Sequence, residues 1–173
     1  AKGLFTDLGA RWLEKTPADI VVEGEGEVTG VELFEALESK SDLIDVKGIW
    51  FKDGDKLIRT LPRPYIPDLD ALPMPAYDLF DIDTYMDNYA KHVRNARTMM
   101  MISCRGCVVL CSFCYQGFGG FRQRSVGHFM REVEYLVDRY GMDTISICDS
   151  TFMVNKNFVE EFSHELIKRK LNL

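Results

Sequence analysis

Four of the chain's five cysteines fall in the stretch SCRGCVVLCSFCYQGFGG, residues 103–120, as Cys104, Cys107, Cys111 and Cys114 with the spacing C-x2-C-x3-C-x2-C. Sulfurs so close in sequence cannot brace a fold by pairing with distant partners, and the total is odd, so a disulfide framework is not expected. Clustered thiols in a chain with no visible secretion signal point instead to metal binding or redox chemistry. A structural zinc site takes its four ligands from two separated knuckles, and the three-residue central gap is far shorter than the usual spacer. A ferredoxin-type run comes closer, but its order is x2, x2, x3 with a proline after the last cysteine, where this chain has Tyr115. Arg94, Arg97, Arg105, Arg122, Arg124 and Arg131 crowd the flanking sequence. Cationic surroundings lower thiol pKa values and favour the thiolate, the form that binds metal.

The elements that must position these sulfurs begin near Arg97, where the pattern becomes strand, loop, helix, strand, loop, helix. Thr98 to Ser103 predicts a strand, with Met99, Met100 and Met101 expected in the core. Ser125 predicts a helix cap, Phe129, Met130, Val133, Leu136, Val137 and Tyr140 an apolar face, and Gly141 the stop. Thr144 to Cys148 predicts a second strand with Cys148 in the core. Lys156 to Lys170 predicts a second helix with Phe158, Val159, Phe162, Leu166 and Ile167 inward. A β–α–β–α order implies parallel strands joined by a right-handed crossover. The working loops of such folds lie beyond the C-terminal strand ends, so the cysteine loop and DSTFMVN, residues 149–155, are expected to open on one face.

Upstream, Asp19 to Val22 predicts a short strand entering EGEGE, and Thr29 with Glu32 has capping-box spacing for a helix through Leu33, Phe34 and Leu37. Gly24 and Gly26 lack the third glycine of a dinucleotide loop at position 29, and Glu23, Glu25 and Glu27 would repel phosphate, so a plain strand-to-helix turn is expected. Ile49 to Lys52, a turn at Asp53–Gly54 and Lys56 to Arg59 predict a hairpin. Pro62, Pro64, Pro67, Pro73 and Pro75 then predict an extended linker crossing a surface, with a domain boundary in or just after it.

At 173 residues and 46% hydrophobic content the chain can bury a core. No apolar run approaches the length of a membrane span and the N-terminus has no h-region, which leads to the expectation of a cytoplasmic protein without a membrane span. A net charge of −6 argues against a nucleic-acid partner or an anionic membrane surface, both of which want a basic footprint.

Cys107, Cys111 and Cys114 form C-x3-C-x2-C with Phe113 before the last cysteine, and here the sequence resembles the radical S-adenosylmethionine superfamily, whose signature is CxxxCxΦC with an aromatic at Φ. The resemblance extends through GEGE, PRPYIPDLDALPMPAYDLF, ISCRGC, CSFCY, FRQRSV and DSTF to enzymes of that superfamily that carry an N-terminal cobalamin-binding domain, among them B12-dependent methyltransferases and anaerobic magnesium-protoporphyrin ester cyclases. It implies that Cys107, Cys111 and Cys114 ligate three irons of a [4Fe–4S] cluster. The fourth iron is then left to the amino and carboxylate groups of S-adenosylmethionine, whose reductive cleavage yields a 5′-deoxyadenosyl radical. Cys104 is then a small buried residue and not a ligand.

By the same resemblance Phe113, Tyr115, Asp149, Ser150, Thr151 and Arg124 are cofactor contacts, with glycines at 117, 119 and 120 allowing close backbone approach. A small-molecule substrate and an external one-electron reductant of ferredoxin or flavodoxin type are the implied partners. The implied fold is α/β: residues 1–40 as the C-terminal tail of a Rossmann-like cobalamin-binding domain, 41–95 as hairpin and linker, and 96–173 as the first βα units of a partial, TIM-like (β/α) barrel. The cobalamin-ligand motif DxHxxG is absent, since His92, His128 and His164 stand in other contexts, and two βα units are fewer than the family's six. The chain thus reads as a fragment, with cobalamin expected only in a longer protein. Two other readings stand beside this one: a ferredoxin-like electron carrier using all four clustered cysteines, and a zinc-stabilised domain.

Overall fold

The structure, a computed structural model, describes residues 8–89, 96–109, 111–114, 120–171 and 173. The described residues divide into two compact units: those of 8–66 with 111–114, and those of 67–109 with 120–173.

The first unit is a three-stranded antiparallel sheet, β1 (Ile20–Val22), β2 (Ile49–Asp53) and β3 (Lys56–Arg59), in the order β1-β2-β3. Helices α1 (Leu8–Lys15) and α2 (Gly26–Ser39) flank it. Alternation along β2 assigns its faces: Ile49 and Phe51 pack with Leu33 and Ala36 of α2, while Trp50 turns to α1. A Cβ on Gly9 would lie 2.4 Å from Trp50 Cδ1, so only glycine lets α1 lie this close to the sheet. Gly9→Ala is expected to destabilise this unit by about 1–3 kcal/mol, the usual range for overpacking, read as a lower urea midpoint by tryptophan fluorescence.

Several expectations for this unit are corrected. The hairpin loop is Gly54–Asp55, because Asp53 pairs with Lys56 as the last rung, and Gly54 takes the positive φ of 57°. Helix α2 starts at Gly26, one turn before the expected capping box, with Glu25 as N-cap and no side-chain cap bond. Thr29 is instead fully buried inside the helix, where Arg63 Nε donates to its Oγ1 at 2.8 Å and Arg63 Nη1 donates to Glu32 Oε1 at 3.1 Å. Phe34 and Leu37 of the expected pattern are exposed; the buried face of α2 is Thr29, Leu33 and Ala36, spaced by four and three residues. Because β1 pairs with β2, residues up to 40 do not separate from the hairpin, and the chain divides after Ile66, within the proline-rich segment. The EGEGE turn is structural: Glu23 accepts from Trp50 Nε1 and Arg59 Nε, both at 2.9 Å, and Glu25 from the Ile66 amide at 2.6 Å.

In the second unit, parallel strands β4 (Thr98–Met101) and β7 (Thr144–Ile147) pair from Thr98↔Thr144 to Met101↔Ile147. Between them in sequence come a short antiparallel ladder, β5 (Cys104–Arg105) with β6 (Arg122–Gln123), and helix α4 (Val126–Tyr140). Helix α3 (Ile82–Tyr89) precedes β4, and α5 (Lys156–Arg169) follows β7. The α4 boundaries are those the sequence predicts: Ser125 Oγ accepts from the His128 amide at 3.1 Å, and Gly141 ends the helix at φ 64°. Ser125→Ala is expected to cost about 1 kcal/mol through loss of that cap, measured as a fall in the chemical-denaturation midpoint.

The core is built on α4: Phe129, Met130, Val133 and Leu136 meet Met101, Met142, Phe158 and Phe162, with Phe129 and Phe162 rings 5.4 Å apart. Strand alternation splits the methionine run, so Met99 and Met101 face this core while Met100 is 52% exposed. Cys148 and Ile167, both expected inside, are also exposed. The proline-rich segment is not a free linker. Leu69 is buried, and short 3-10 turns at Leu69–Ala71 and Tyr77–Leu79 bring Asp70, Leu72 and Tyr77 against α4.

Candidate cofactor site

The two loops expected to share a face meet at one carboxylate. Asp149, just past β7, accepts from the Ser103 amide at 2.8 Å, the Cys104 amide at 3.1 Å and the Ser103 hydroxyl. The Cys148 amide also donates to Met101 O at 2.8 Å, so the strand ends are laced together directly below the cysteine loop. The Asp149 side chain, expected at a cofactor, thus holds the loop's first residues; Ser103, which the sequence reading passed over, is fully buried in this contact.

The four clustered thiols differ in environment. Cys104 is buried at 3% exposure, and burial, followed by the adjacent Asp149 carboxylate, pushes its thiol up to about 12. Cys107 and Cys111 are half-buried and Cys114 is exposed. Gly106 turns the chain at φ 79°, and the Val109 amide then points at Cys107 Sγ at 3.4 Å, a donor of the kind that stabilises cluster-bound sulfur. The Cys114 amide closes a turn onto Cys111 O at 3.2 Å. Among the described residues, no three His, Cys, Asp or Glu side chains converge on a metal-sized site. The fit to an iron–sulfur group therefore rests on the donor set: Cys107, Cys111 and Cys114 are soft, accessible sulfurs at C-x3-C-x2-C spacing, and Cys104 is buried.

The remaining expected residues lie as follows. Phe113 is 91% exposed beside Cys114. Tyr115, and the glycines at 117 and 119, lie outside the described residues. Ser150 is exposed and Thr151 half-buried in the turn entering α5, and the Thr151 amide donates to Cys104 sulfur. The helix cap there is Asn155, whose Oδ1 accepts from the Phe158 amide at 3.3 Å and whose Nδ2 donates to Gln123 Oε1 at 2.7 Å.

Arg124 has a different setting from the cofactor contact expected of it. Nε donates to His128 Nδ1 at 2.9 Å, Nη1 to Ile102 O at 3.2 Å, and Nη2 pairs with Glu132 Oε2 at 2.5 Å; the backbone amide donates to Ser103 O at 2.9 Å. Glu132 also accepts from Tyr77 Oη, and burial with this bond pushes the phenol well above its usual range. His128 Nε2 reaches Leu72 O at 3.3 Å, while Asp70 accepts from the Ser125 amide at 2.9 Å. Arg97, counted among the cations near the thiols, pairs with Asp83 and with Asp87 at 2.7 Å. Two of the nearby arginines are thus neutralised by structural carboxylates. Tyr77, Asp70 and Glu132 carried no recognisable sequence signal, because their spacing in the chain says nothing of their meeting.

No family model matches the chain. It is 33% identical over 164 residues to an anaerobic magnesium-protoporphyrin IX monomethyl ester cyclase of Synechocystis sp., covering 93% of this chain and 32% of that protein. The solved structure of the cobalamin-dependent S-adenosylmethionine radical enzyme OxsB with aqua-cobalamin bound matches 92% of this chain and 22% of its own at TM-score 0.70 and 18% identity. That of the radical S-adenosylmethionine methyltransferase TsrM from Kitasatospora setae, with cobalamin and a [4Fe–4S] cluster bound, matches 88% of this chain and 30% of its own at TM-score 0.60 and 18% identity. The chain spans about a quarter to a third of the length of the curated relatives it matches. The resemblance carried by the cysteine motif thus extends to sequence along most of the chain and to a mixed α/β fold. Among the described residues no helix is long and apolar enough to cross a membrane.

Proposed function

We propose that this chain carries the cluster loop and opening βα units of a radical S-adenosylmethionine enzyme, the superfamily it resembles in sequence and fold. The observation that carries the reading is the loop at the C-terminal end of β4. It offers Cys107, Cys111 and Cys114 as half-buried or exposed sulfurs and withholds Cys104, so that three thiols and not four are available. Those three would hold a [4Fe–4S] cluster with one iron free for the amino and carboxylate groups of S-adenosylmethionine. When bound, these groups supply one-electron reduction of the sulfonium and release of a 5′-deoxyadenosyl radical.

Within that reading Asp149 and the lacing of β4 to β7 hold the loop root. Phe113, with its ring exposed, and Tyr115, Ser150 and Thr151 are the residues we assign to the S-adenosylmethionine side of the loop. Arg124 acts at one remove, fixing the backbone at Ile102 and Ser103. The parallel β4–β7 pair supports residues 96–173 as the start of a TIM-like barrel; by the resemblance, the C-terminal tail of a Rossmann-like cobalamin-binding domain falls within the first unit. Cobalamin is assigned to a longer protein, since the DxHxxG motif is absent from this sequence; among the described residues the imidazole of His128 is held by Arg124 and Leu72. A small-molecule substrate, an external one-electron donor and a cytoplasmic setting complete the proposal, with methyl transfer or cyclisation as the outcome in a longer protein.

Anaerobic reconstitution with iron and sulfide is expected to give about one [4Fe–4S] cluster per chain, and S-adenosylmethionine to change the EPR spectrum of the reduced cluster. Stoichiometric zinc with no sulfide-dependent absorbance would establish the zinc domain instead. A cluster indifferent to saturating S-adenosylmethionine would establish the electron carrier.

A further inference from the structure

Sequence spacing does not exclude Cys104 from the ligand set. Cys104 and Cys107 are separated by two residues, as are Cys111 and Cys114, and that interval is common between ligands of one cluster. What sets Cys104 apart is tertiary. It lies in the β5–β6 ladder opposite Gln123, is 3% exposed, and its amide and that of Ser103 both donate to Asp149 Oδ1 while the Ser103 hydroxyl donates to Oδ2. One carboxylate just past β7 therefore pins two consecutive residues at the loop root, forty-six and forty-five positions away in sequence.

We propose that Asp149 is a positioning residue that sorts the four clustered thiols, holding Cys104 in the strand ladder and out of the iron ligand set so that three sulfurs remain. This rests on the functional reading above, and it goes beyond a contact between Asp149 and cofactor. With the carboxylate gone, the two amides lose their acceptor, the root of the loop loosens, and the Cys104 thiol can give its proton to solvent and take the open iron. The cluster would then persist, fully thiolate-ligated and closed to S-adenosylmethionine.

The test compares wild type, Cys104→Ser, Asp149→Ala and the double variant Asp149→Ala/Cys104→Ser, each reconstituted anaerobically with iron and sulfide and read by iron content and by reduced EPR with and without S-adenosylmethionine. Wild type and Cys104→Ser are expected to respond to S-adenosylmethionine. Asp149→Ala should keep its iron and lose the response, and the double variant should regain it. A second reading uses metal-free protein: iodoacetamide should spare Cys104 in wild type and label it on the order of tenfold faster in Asp149→Ala. A double variant that stays unresponsive beside a responsive wild type overturns the proposal alone, since a direct cofactor contact or a global defect would not be rescued by removing a sulfur. Unchanged Cys104 labelling in Asp149→Ala overturns it equally, and decides the matter if that variant assembles no cluster. A wild-type cluster indifferent to S-adenosylmethionine removes the functional reading itself, and this proposal with it.

Discussion

Serine at Cys107, Cys111 or Cys114 is expected to strip the chain of most of its iron after anaerobic reconstitution, each substitution alone being sufficient. A hydroxyl is a hard, weakly acidic donor and a poor replacement for a soft thiolate on iron. A three-thiolate cluster has no spare protein ligand to compensate. Cys104→Ser, made and assayed identically, is expected to retain wild-type iron. Its cost is a stability loss of order 1 kcal/mol for placing a hydroxyl where a weakly polar thiol sat, kept small because Asp149 can accept from serine as it does from the thiol. Iron per chain across the four single variants is the measurement. Equal loss at all four positions would mean four thiolate ligands and an electron carrier.

The second large effect lies at Arg124. Its side chain is 12% exposed and that of Glu132 5%, so the pair is buried, and removing one partner strands the other's charge. Arg124→Met is expected to destabilise the second unit by about 3–5 kcal/mol, read by urea denaturation followed by far-UV circular dichroism. Tyr77→Phe, which removes only the phenol donor to Glu132, is expected to cost about 1–3 kcal/mol. In a double-mutant cycle, Arg124→Met and Glu132→Gln should fall well short of additivity, because the second change removes the charge that the first leaves buried. Additive losses would show that the two side chains do not act as a unit.

The chain's own order was enough for what depends on near neighbours. Ser125 and Gly141 bound α4 because a cap bond and a left-handed stop are satisfied within a turn of the helix end. The apolar repeat at Phe129, Met130, Val133 and Leu136 marks the face that becomes the core, and the element order calls for the parallel pairing that β4 and β7 make. The sulfur spacing likewise points to clustered-metal chemistry before any fold is known.

Other outcomes turned on groups brought together from far apart. Thr29 has the spacing of a cap and serves as a buried acceptor, because Arg63 arrives from thirty-four residues downstream. Arg124 reads as a free cation beside the thiols until Glu132, His128 and, through Glu132, Tyr77 of the proline-rich segment enclose it. Cys104 and Cys107 are the same residue type on the same short stretch, and local sequence treats them alike. Their difference comes from burial and from a carboxylate just past β7: Cys104 is buried beside Asp149, which raises its thiol pKa, while Cys107 is half-buried. The sequence by itself thus determined that this loop is built of sulfur donors at metal-binding spacing, because that is a property of neighbours. Which of those sulfurs is buried was decided only when the fold paired Cys104 with Gln123 and set Asp149 against its amide, because those contacts form through space and not along the chain.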